Sequence, residues 1–279
     1  MTAHGAPSAE AGLPALVDTH CHLVLLEERG LLDAALESRA EHGVTQVVTV
    51  GLDVDDSDRN RQLAERLPGV WFTVGWHPHQ PGPPDSAQVA ALRELADHPR
   101  CVAVGEIGLD HFWRPGYHET SAERQLEGLR MMLEIAADAR LPVVVHDRDA
   151  HDEVVAALGA GLRGPGGGRP AGVFHCFSGG PELATAAARL DMVCSFAGIV
   201  TFPRSEPVQA AAAAVAEGGW TVETDAPFLA PIPYRGRPNL PGYAAATAAA
   251  VARLRGMDIA AARAEAAATG RRLFGLPGT

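Results

Sequence analysis

The sequence is notable first for what it lacks, beginning with lysine: all 23 basic residues are arginine. The 34 acidic residues give a formal net charge of −11, so the composition indicates no broad basic face and disfavours tight binding of long duplex nucleic acid. No apolar run is long enough to cross a membrane, so no membrane association is expected. The four cysteines form no C-x-x-C pair, and the strand-like surroundings of Cys21, Cys176 and Cys194 favour reduced, buried thiols in a cytosolic protein.

The first residues also lack the basic and apolar segments of a signal peptide, so we expect a cytoplasmic location. Their alanine, glycine and proline content predicts a disordered lead-in over 1–14, followed by a single domain over 15–279. No predicted helix carries a surplus apolar stripe, and we therefore expect a monomer.

What the sequence does have is a regular alternation of short apolar runs and helical segments. The apolar runs predict eight β-strands, at 16–22, 45–50, 70–75, 102–107, 142–145, 172–174, 192–199 and 220–222. Helices are predicted at 30–42, 55–67, 86–97, 119–140, 150–158, 181–190, 206–216, 243–255 and 258–274. This alternation predicts an α/β fold, most simply a (β/α)8 barrel of TIM type, in which chemistry is built at the C-terminal ends of the strands.

The run V-A-V-G-E-I-G-L-D at 102–110 reads as a buried strand that ends on an acid. Glycines lie on both sides of Glu106, and they allow another group to approach the backbone closely. Several other predicted strands also end on histidines or acids, which a barrel would bring to one face. Together these residues are His20, His22, His77, Glu106, His146, His175 and Asp225.

His20 and His22 lie two residues apart, so strand geometry places both imidazoles on one face, with Cys21 opposite. Two converging imidazoles suit a divalent metal; the alternative for an isolated H-x-H is a buried pair satisfied by hydrogen bonds. A mixed histidine and carboxylate set suits zinc or manganese, whereas an all-oxygen set suits magnesium. Without His77, the strand-end residues offer six potential ligands, which exceed one tetrahedral site and suggest two ions with a bridging group.

Seven ordered motifs resemble those of the TatD family of metal-dependent deoxyribonucleases, which belongs to the amidohydrolase-like barrels. They span about residues 17–276 and read D-T-H-C-H-L, G-W-H-P-H, G-E-I-G-L-D, H-D-R-D-A, H-C-F-S-G, E-T-D-A-P and P-Y-R-G-R-P-N. The resemblance implies a TIM-type barrel that hydrolyses phosphodiester bonds of DNA, often as an exonuclease. It also implies one or two divalent ions, of Mg, Mn or Zn.

Motif matching assigns the implied ligands. One ion is implied at His20, His22, Glu106 and Asp225, and the other at Glu106, His146 and His175, with Glu106 bridging. Related binuclear barrels often use a carboxylated lysine as the bridge, which this lysine-free chain cannot supply. Departures from the family pattern at Val24, Leu240 and Gly270 leave these ligands intact but weaken what the resemblance says about substrate contacts near 235–240.

The implied reaction is metal-assisted hydrolysis, in which Asp225 ligates and takes the proton of the attacking water. Arg148 is predicted to clamp a phosphate oxygen bidentately, the alternative being an ion pair with Asp147 or Asp149. His77 either contacts the phosphate or the leaving group, or belongs to a purely structural turn.

Supporting roles are predicted for Tyr234, Arg235 and Asp110. Tyr234 and Arg235 are predicted to shape the substrate cleft, and Asp110 to orient a ligand or water. Because the net charge is acidic, the expected partner is a DNA strand end or a short oligonucleotide. Two other functions stay open: a non-nuclease metallohydrolase acting on an ester or amide such as an aminoacyl-tRNA linkage, and a metal-stabilised scaffold without enzymatic activity.

Overall fold

The computed structural model describes residues 12–278, in which eight strands alternate with ten helices. The strands are β1 Leu16–Cys21, β2 Val44–Thr49, β3 Val70–Val74, β4 Cys101–Asp110, β5 Val143–Arg148, β6 Gly172–Phe174, β7 Met192–Phe196 and β8 Trp220–Val222. The helices are α1 Leu23–Glu28, α2 Leu32–His42, α3 Val54–Arg66, α4 Ser86–Ala96, α5 Ala122–Ala139, α6 His151–Gly161, α7 Pro181–Arg189, α8 Glu206–Ala214, α9 Ala244–Arg255 and α10 Ile259–Phe274. Most of the lead-in expected at 1–14 lies outside the described residues.

The eight strands form one parallel sheet in which neighbours in the chain are neighbours in space. The Asp225 amide donates to the His20 carbonyl at 2.9 Å, and the His22 amide donates to the Ala226 carbonyl at 2.8 Å. These bonds join the end of β1 to the segment after β8, so the sheet curls into a nearly closed barrel. The prediction of a (β/α)8 TIM-type barrel is therefore confirmed, with all carboxyl ends of the strands at one face.

Four of the ten helices, α3, α4, α5 and α10, begin at a side-chain N-cap. Asp85 caps α4 in a reciprocal arrangement with Gln88, and Ser121 caps α5. Helix α5 then buries one face, including Leu129 and Met132, against the sheet. Fully burying an apolar side chain of this size contributes roughly 1.5–3 kcal/mol, so packing rather than helix propensity fixes these segments.

The last helix belongs to the barrel core. Its buried Leu273 and Phe274 cluster with one valine each from β1, β2 and β4–β7.

The four cysteines are free thiols, as expected; Cys21 and Cys194 are buried as predicted, whereas Cys176 is only partly buried. Among residues 12–278, no helix combines the length and the apolar character needed to span a bilayer. The cytoplasmic location and the monomeric state expected from the sequence stay predictions.

The structure differs from the predicted elements in several bounds; β5, for example, runs to Arg148 rather than residue 145. Helix α1 was not predicted, because its six residues continue the apolar run after His22 and are too short to show a helical period. Strand β4 runs to Asp110 rather than residue 107, since Gly108, Leu109 and Asp110 pair with β5. Strand β7 ends at Phe196, and a 3₁₀ helix, Gly198–Thr201, takes up the rest of the predicted strand.

Candidate metal centre

The barrel brings all seven predicted strand-end residues to one cluster. Five of them lie at the carboxyl end of a strand or in the segment that follows it, and two lie within the carboxyl half of a strand: His20 and His22 at β1, His77 after β3, His175 after β6 and Asp225 after β8, with Glu106 in β4 and His146 in β5. The cluster is shielded from solvent: His20 is 1% exposed and Glu106 is 2% exposed.

Glu106 lies at the centre of the cluster. Its Oε1 is 2.6 Å from His146 Nδ1, 2.8 Å from His175 Nε2 and 3.4 Å from His77 Nε2. Its Oε2 is 3.6 Å from His20 Nε2. Burial alone would raise the pKa of Glu106, but the surrounding imidazoles hold it well below its usual range. Glu106 is therefore ionised and shared by groups from four other strands.

Asp225 forms the second carboxylate of the cluster. Its Oδ1 is 3.2 Å from His22 Nε2 and 3.7 Å from His20 Nε2. Burial would raise the pKa of Asp225, but the hydrogen bond and charge of His22, together with the charges of His20 and His175, lower it. Within this cluster, the structure has three sets of three residues whose ligand atoms lie within 4.8 Å of one another: His20, His22 and Asp225; His20, Glu106 and His175; and His77, Glu106 and His146.

The polar atoms of this cluster fit a cation. His20 Nδ1 and Nε2, His22 Nδ1 and His175 Nδ1 are buried and have no hydrogen-bond partner. His146 faces a carboxylate with both ring nitrogens, Glu106 at 2.6 Å and Asp110 at 3.2 Å. Buried polar atoms without partners are costly, and imidazole and carboxylate groups are ligands that zinc and manganese prefer. The residues present therefore fit one or more divalent ions.

The histidines differ in their tendency to hold a proton. Burial lowers the pKa of His77 to about 4, and burial together with His175 lowers the pKa of His20. Burial would lower the pKa of His175 as well, but Glu106 and Glu223 raise it well above its usual range. His20 and His77 are accordingly neutral near pH 7 and each offers a lone pair.

Arg148 lies on the rim of the cluster and is exposed. Its Nη1 donates to the Tyr117 hydroxyl at 2.7 Å, and its guanidinium stacks 3.9 Å from the Phe112 ring centre. Among the described residues, Arg148 forms no ion pair with Asp147 or Asp149. The Asp147 carboxylate instead lies 2.7 Å from His151 Nδ1. The ion-pair alternative for Arg148 is thus not what the structure shows.

Tyr234 and Arg235 each pack against an aromatic ring. Tyr234 stacks on Tyr243 with ring centres 3.7 Å apart, and Arg235 lies 3.9 Å above the Phe202 ring. These contacts pack the loop after β8, and the substrate role of both residues stays a prediction.

Asp110 contacts His146 Nε2 at 3.2 Å, the position expected of a group that orients a ligand.

Sequence reasoning missed Glu223, which is fully buried beside the cluster. Its Oε1 accepts from the Cys176 amide at 2.6 Å and lies 3.4 Å from His175 Nδ1. Glu223 and Asp225 are two residues apart, and that spacing could have flagged Glu223 just as it flagged His20 and His22.

A parallel barrel with histidines and carboxylates at its carboxyl face is typical of metal-dependent hydrolases. The model of the TatD-related DNase family matches residues 17–275. The uncharacterized metal-dependent hydrolase YabD of Bacillus subtilis is 30% identical over 259 residues, 93% of this chain and 98% of that protein. The 3'-5' ssDNA/RNA exonuclease TatD of Erwinia billingiae is 32% identical over 251 residues, 88% of this chain and 93% of that protein.

A solved structure agrees with these sequence matches. The crystal structure of YJJV, a TatD homolog from Escherichia coli K12, aligns with a TM-score of 0.84 at 28% identity and covers 94% of this chain and 98% of that one. The chain therefore belongs to the TatD-related DNase family of metal-dependent hydrolases.

Proposed function

We propose that the barrel domain, residues 15–279, hydrolyses phosphodiester bonds of single-stranded DNA from strand ends. The observation that carries this proposal is the aromatic and cationic rim around the metal cluster. Trp113 is 69% exposed in the loop after β4, next to Phe112, which stacks on Arg148. Phe228 is 43% exposed in the loop after β8, and its ring lies 5.9 Å from that of His22.

Such a rim suits a nucleic acid better than a small ester or amide. Exposed aromatic rings stack on unpaired bases without regard to sequence, and arginine binds phosphate. Arg29 lies 5.5 Å above the Phe228 ring and adds a second cation on that side. The name of the Erwinia relative supports a single-stranded substrate, and the acidic net charge supports contact with few phosphates.

We propose that His20, His22, Glu106 and Asp225 hold one divalent ion and that Glu106, His146 and His175 hold the other. Bound there, the ions would lower the pKa of water and offset the charge that develops on the phosphate. The position of Glu106 between His20 and His146 supports its role as the shared ligand. This combination of histidine nitrogens and carboxylate oxygens favours Zn or Mn over Mg.

In the proposed reaction, Arg148, Asp225 and His77 each have a separate role. Arg148 binds a non-bridging phosphate oxygen and fixes the scissile bond over the cluster. Asp225, kept ionised by His22, accepts the proton of the water whose oxygen attacks phosphorus. The P–O bond to the leaving oxygen breaks as that oxygen takes up a proton from solvent, and Asp225 returns its proton to solvent. His77 is neutral and faces Glu106, where its ring contacts the phosphate or the leaving oxygen.

The first test combines metal removal with a choice of substrates. Chelation of the purified full chain should abolish hydrolysis of a single-stranded oligonucleotide, and Mn²⁺, Mg²⁺ or Zn²⁺ should restore it. Products should shorten from the strand end, and duplex DNA should be cut more slowly. Full activity after chelation would contradict the proposal. Cleavage of an aminoacyl-tRNA ester without any cleavage of DNA would favour the alternative hydrolase.

Arg148→Lys tests the phosphate clamp. Lysine keeps the charge but cannot form a bidentate fork, so turnover should fall about tenfold or more at unchanged metal content, since a charge-assisted bond contributes about 1.5–3 kcal/mol. Arg163→Lys is the matched control, because Arg163 is exposed in the loop between α6 and β6, away from the carboxyl face. Equal turnover of the Arg148 variant and wild type would show that Arg148 only packs against its aromatic neighbours.

A further inference from the structure

A second group of potential ligands lies beside the metal centre and uses two histidines that the centre does not. His79 follows β3, Asp110 ends β4, and His118 lies in the loop before α5. One ligand atom from each lies within 4.8 Å of the other two. His79 Nε2 is 2.7 Å from Asp110 Oδ2, and the His79 and His118 rings stack with centres 4.7 Å apart.

The ring of His118 is held with one nitrogen free. Its Nε2 lies 3.1 Å from the Phe112 carbonyl, which can only accept a hydrogen bond. The ring proton is therefore on Nε2, and Nδ1 carries a lone pair. That Nδ1 is buried and has no hydrogen-bond partner. A carbonyl that fixes the tautomer in this way is the usual partner of a metal-ligating histidine.

The carboxylate of this group is also fixed in position. Asp110 Oδ1 accepts from the Phe112 amide at 2.9 Å, and Oδ2 faces His79 at 2.7 Å and accepts from the Tyr117 hydroxyl at 3.3 Å. The same Oδ2 is 3.2 Å from His146 Nε2, so the group adjoins the metal centre. His79 also lines a surface cleft of about 400 Å³ with Glu119, Thr120 and Arg124, which gives an ion a path from solvent.

We propose that His79, Asp110 and His118 form a further binding site for a divalent transition-metal ion, next to the centre around Glu106. Two imidazoles and one carboxylate suit zinc, cobalt or a similar ion and leave coordination positions open towards the cleft. Metal binding here does not require that the protein cleaves DNA.

The test counts ions on the purified full chain. The metal-free protein is loaded with Co²⁺, dialysed, and its cobalt content is measured. His118→Ala should bind about one ion fewer per chain than wild type, because the site loses one of three ligands. His111→Ala is the matched control: it lies in the same loop and contacts Glu153 at 3.5 Å, outside the group. It should bind as much cobalt as wild type.

A second pair of variants shows whether the two histidines share one ion. His79→Ala should also lose about one ion, and the double variant with His118→Ala should lose no more than either single variant. Wild-type cobalt content in both single variants would overturn the proposal. Loss of every ion from His118→Ala would overturn it too, since the ions around Glu106 would then depend on the same residue. Because cobalt content is measured without DNA, failure here differs from failure of the proposed hydrolysis.

Discussion

Glu106→Gln is expected to lose most of the metal held at the centre and most of the hydrolytic activity. The substitution keeps the size of the side chain but removes the charge that faces His146, His175, His77 and His20. Both proposed ions use this carboxylate, so both sites should weaken together. We expect turnover of a single-stranded oligonucleotide to fall by more than about 100-fold, since even residues that only orient a ligand are worth about 10–100-fold.

His146→Ala is the companion variant. It removes a ligand from only one of the two proposed ions, so the ion at His20 and His22 should remain and about one ion per chain should be lost. Metal content is best counted in a His118→Ala background, so that the further site adds nothing. If Glu106→Gln kept its full metal content while His146→Ala lost everything, Glu106 would not be the bridge and the two-ion arrangement would be wrong.

The parts of the fold that could be predicted are those that depend on local pattern. Short apolar runs between amphipathic segments are enough to predict eight strands and a parallel barrel, because few other folds use that alternation. Once a barrel is expected, the rule that strand ends converge places Glu106 among histidines that are far away in the chain. The two-residue spacing of His20 and His22 predicted that both rings would reach the cluster, and both do.

The parts that could not be predicted depend on contacts between distant residues. The length of β4 is set by its pairing with β5, where Asp110 lies opposite Arg148. The stagger of the strands decides which histidines reach Glu106 Oε1. His77 Nε2 lies 3.4 Å from that oxygen, a contact that the motifs alone do not predict. His118 lies in an irregular loop without periodicity, so its approach to His79 had no signal in the sequence.

Gly108→Ala should destabilise the barrel and misplace the metal centre. Gly108 has a φ of +150°, a conformation that L side chains rarely adopt, and it pairs with His146 across β4 and β5. An added Cβ would overlap the backbone oxygen of His146. The two strands would have to separate, although Glu106 Oε1 and His146 Nδ1 must stay close. We expect the free energy of unfolding to fall by about 2–3 kcal/mol or more, from backbone strain and overpacking together.

Gly128→Ala separates this effect from the general consequence of replacing a glycine. Gly128 lies within α5, where an added Cβ would be 3.5 Å from its nearest neighbour, the Trp76 ring, which is ordinary contact. Alanine favours a helix over glycine by about 0.8–1 kcal/mol, so this variant should be as stable as wild type or more so. Denaturant unfolding and metal content of both variants provide the comparison. If Gly108→Ala unfolded with wild-type stability and bound metal fully, the close approach of β4 to β5 would not be what holds Glu106 and His146 together.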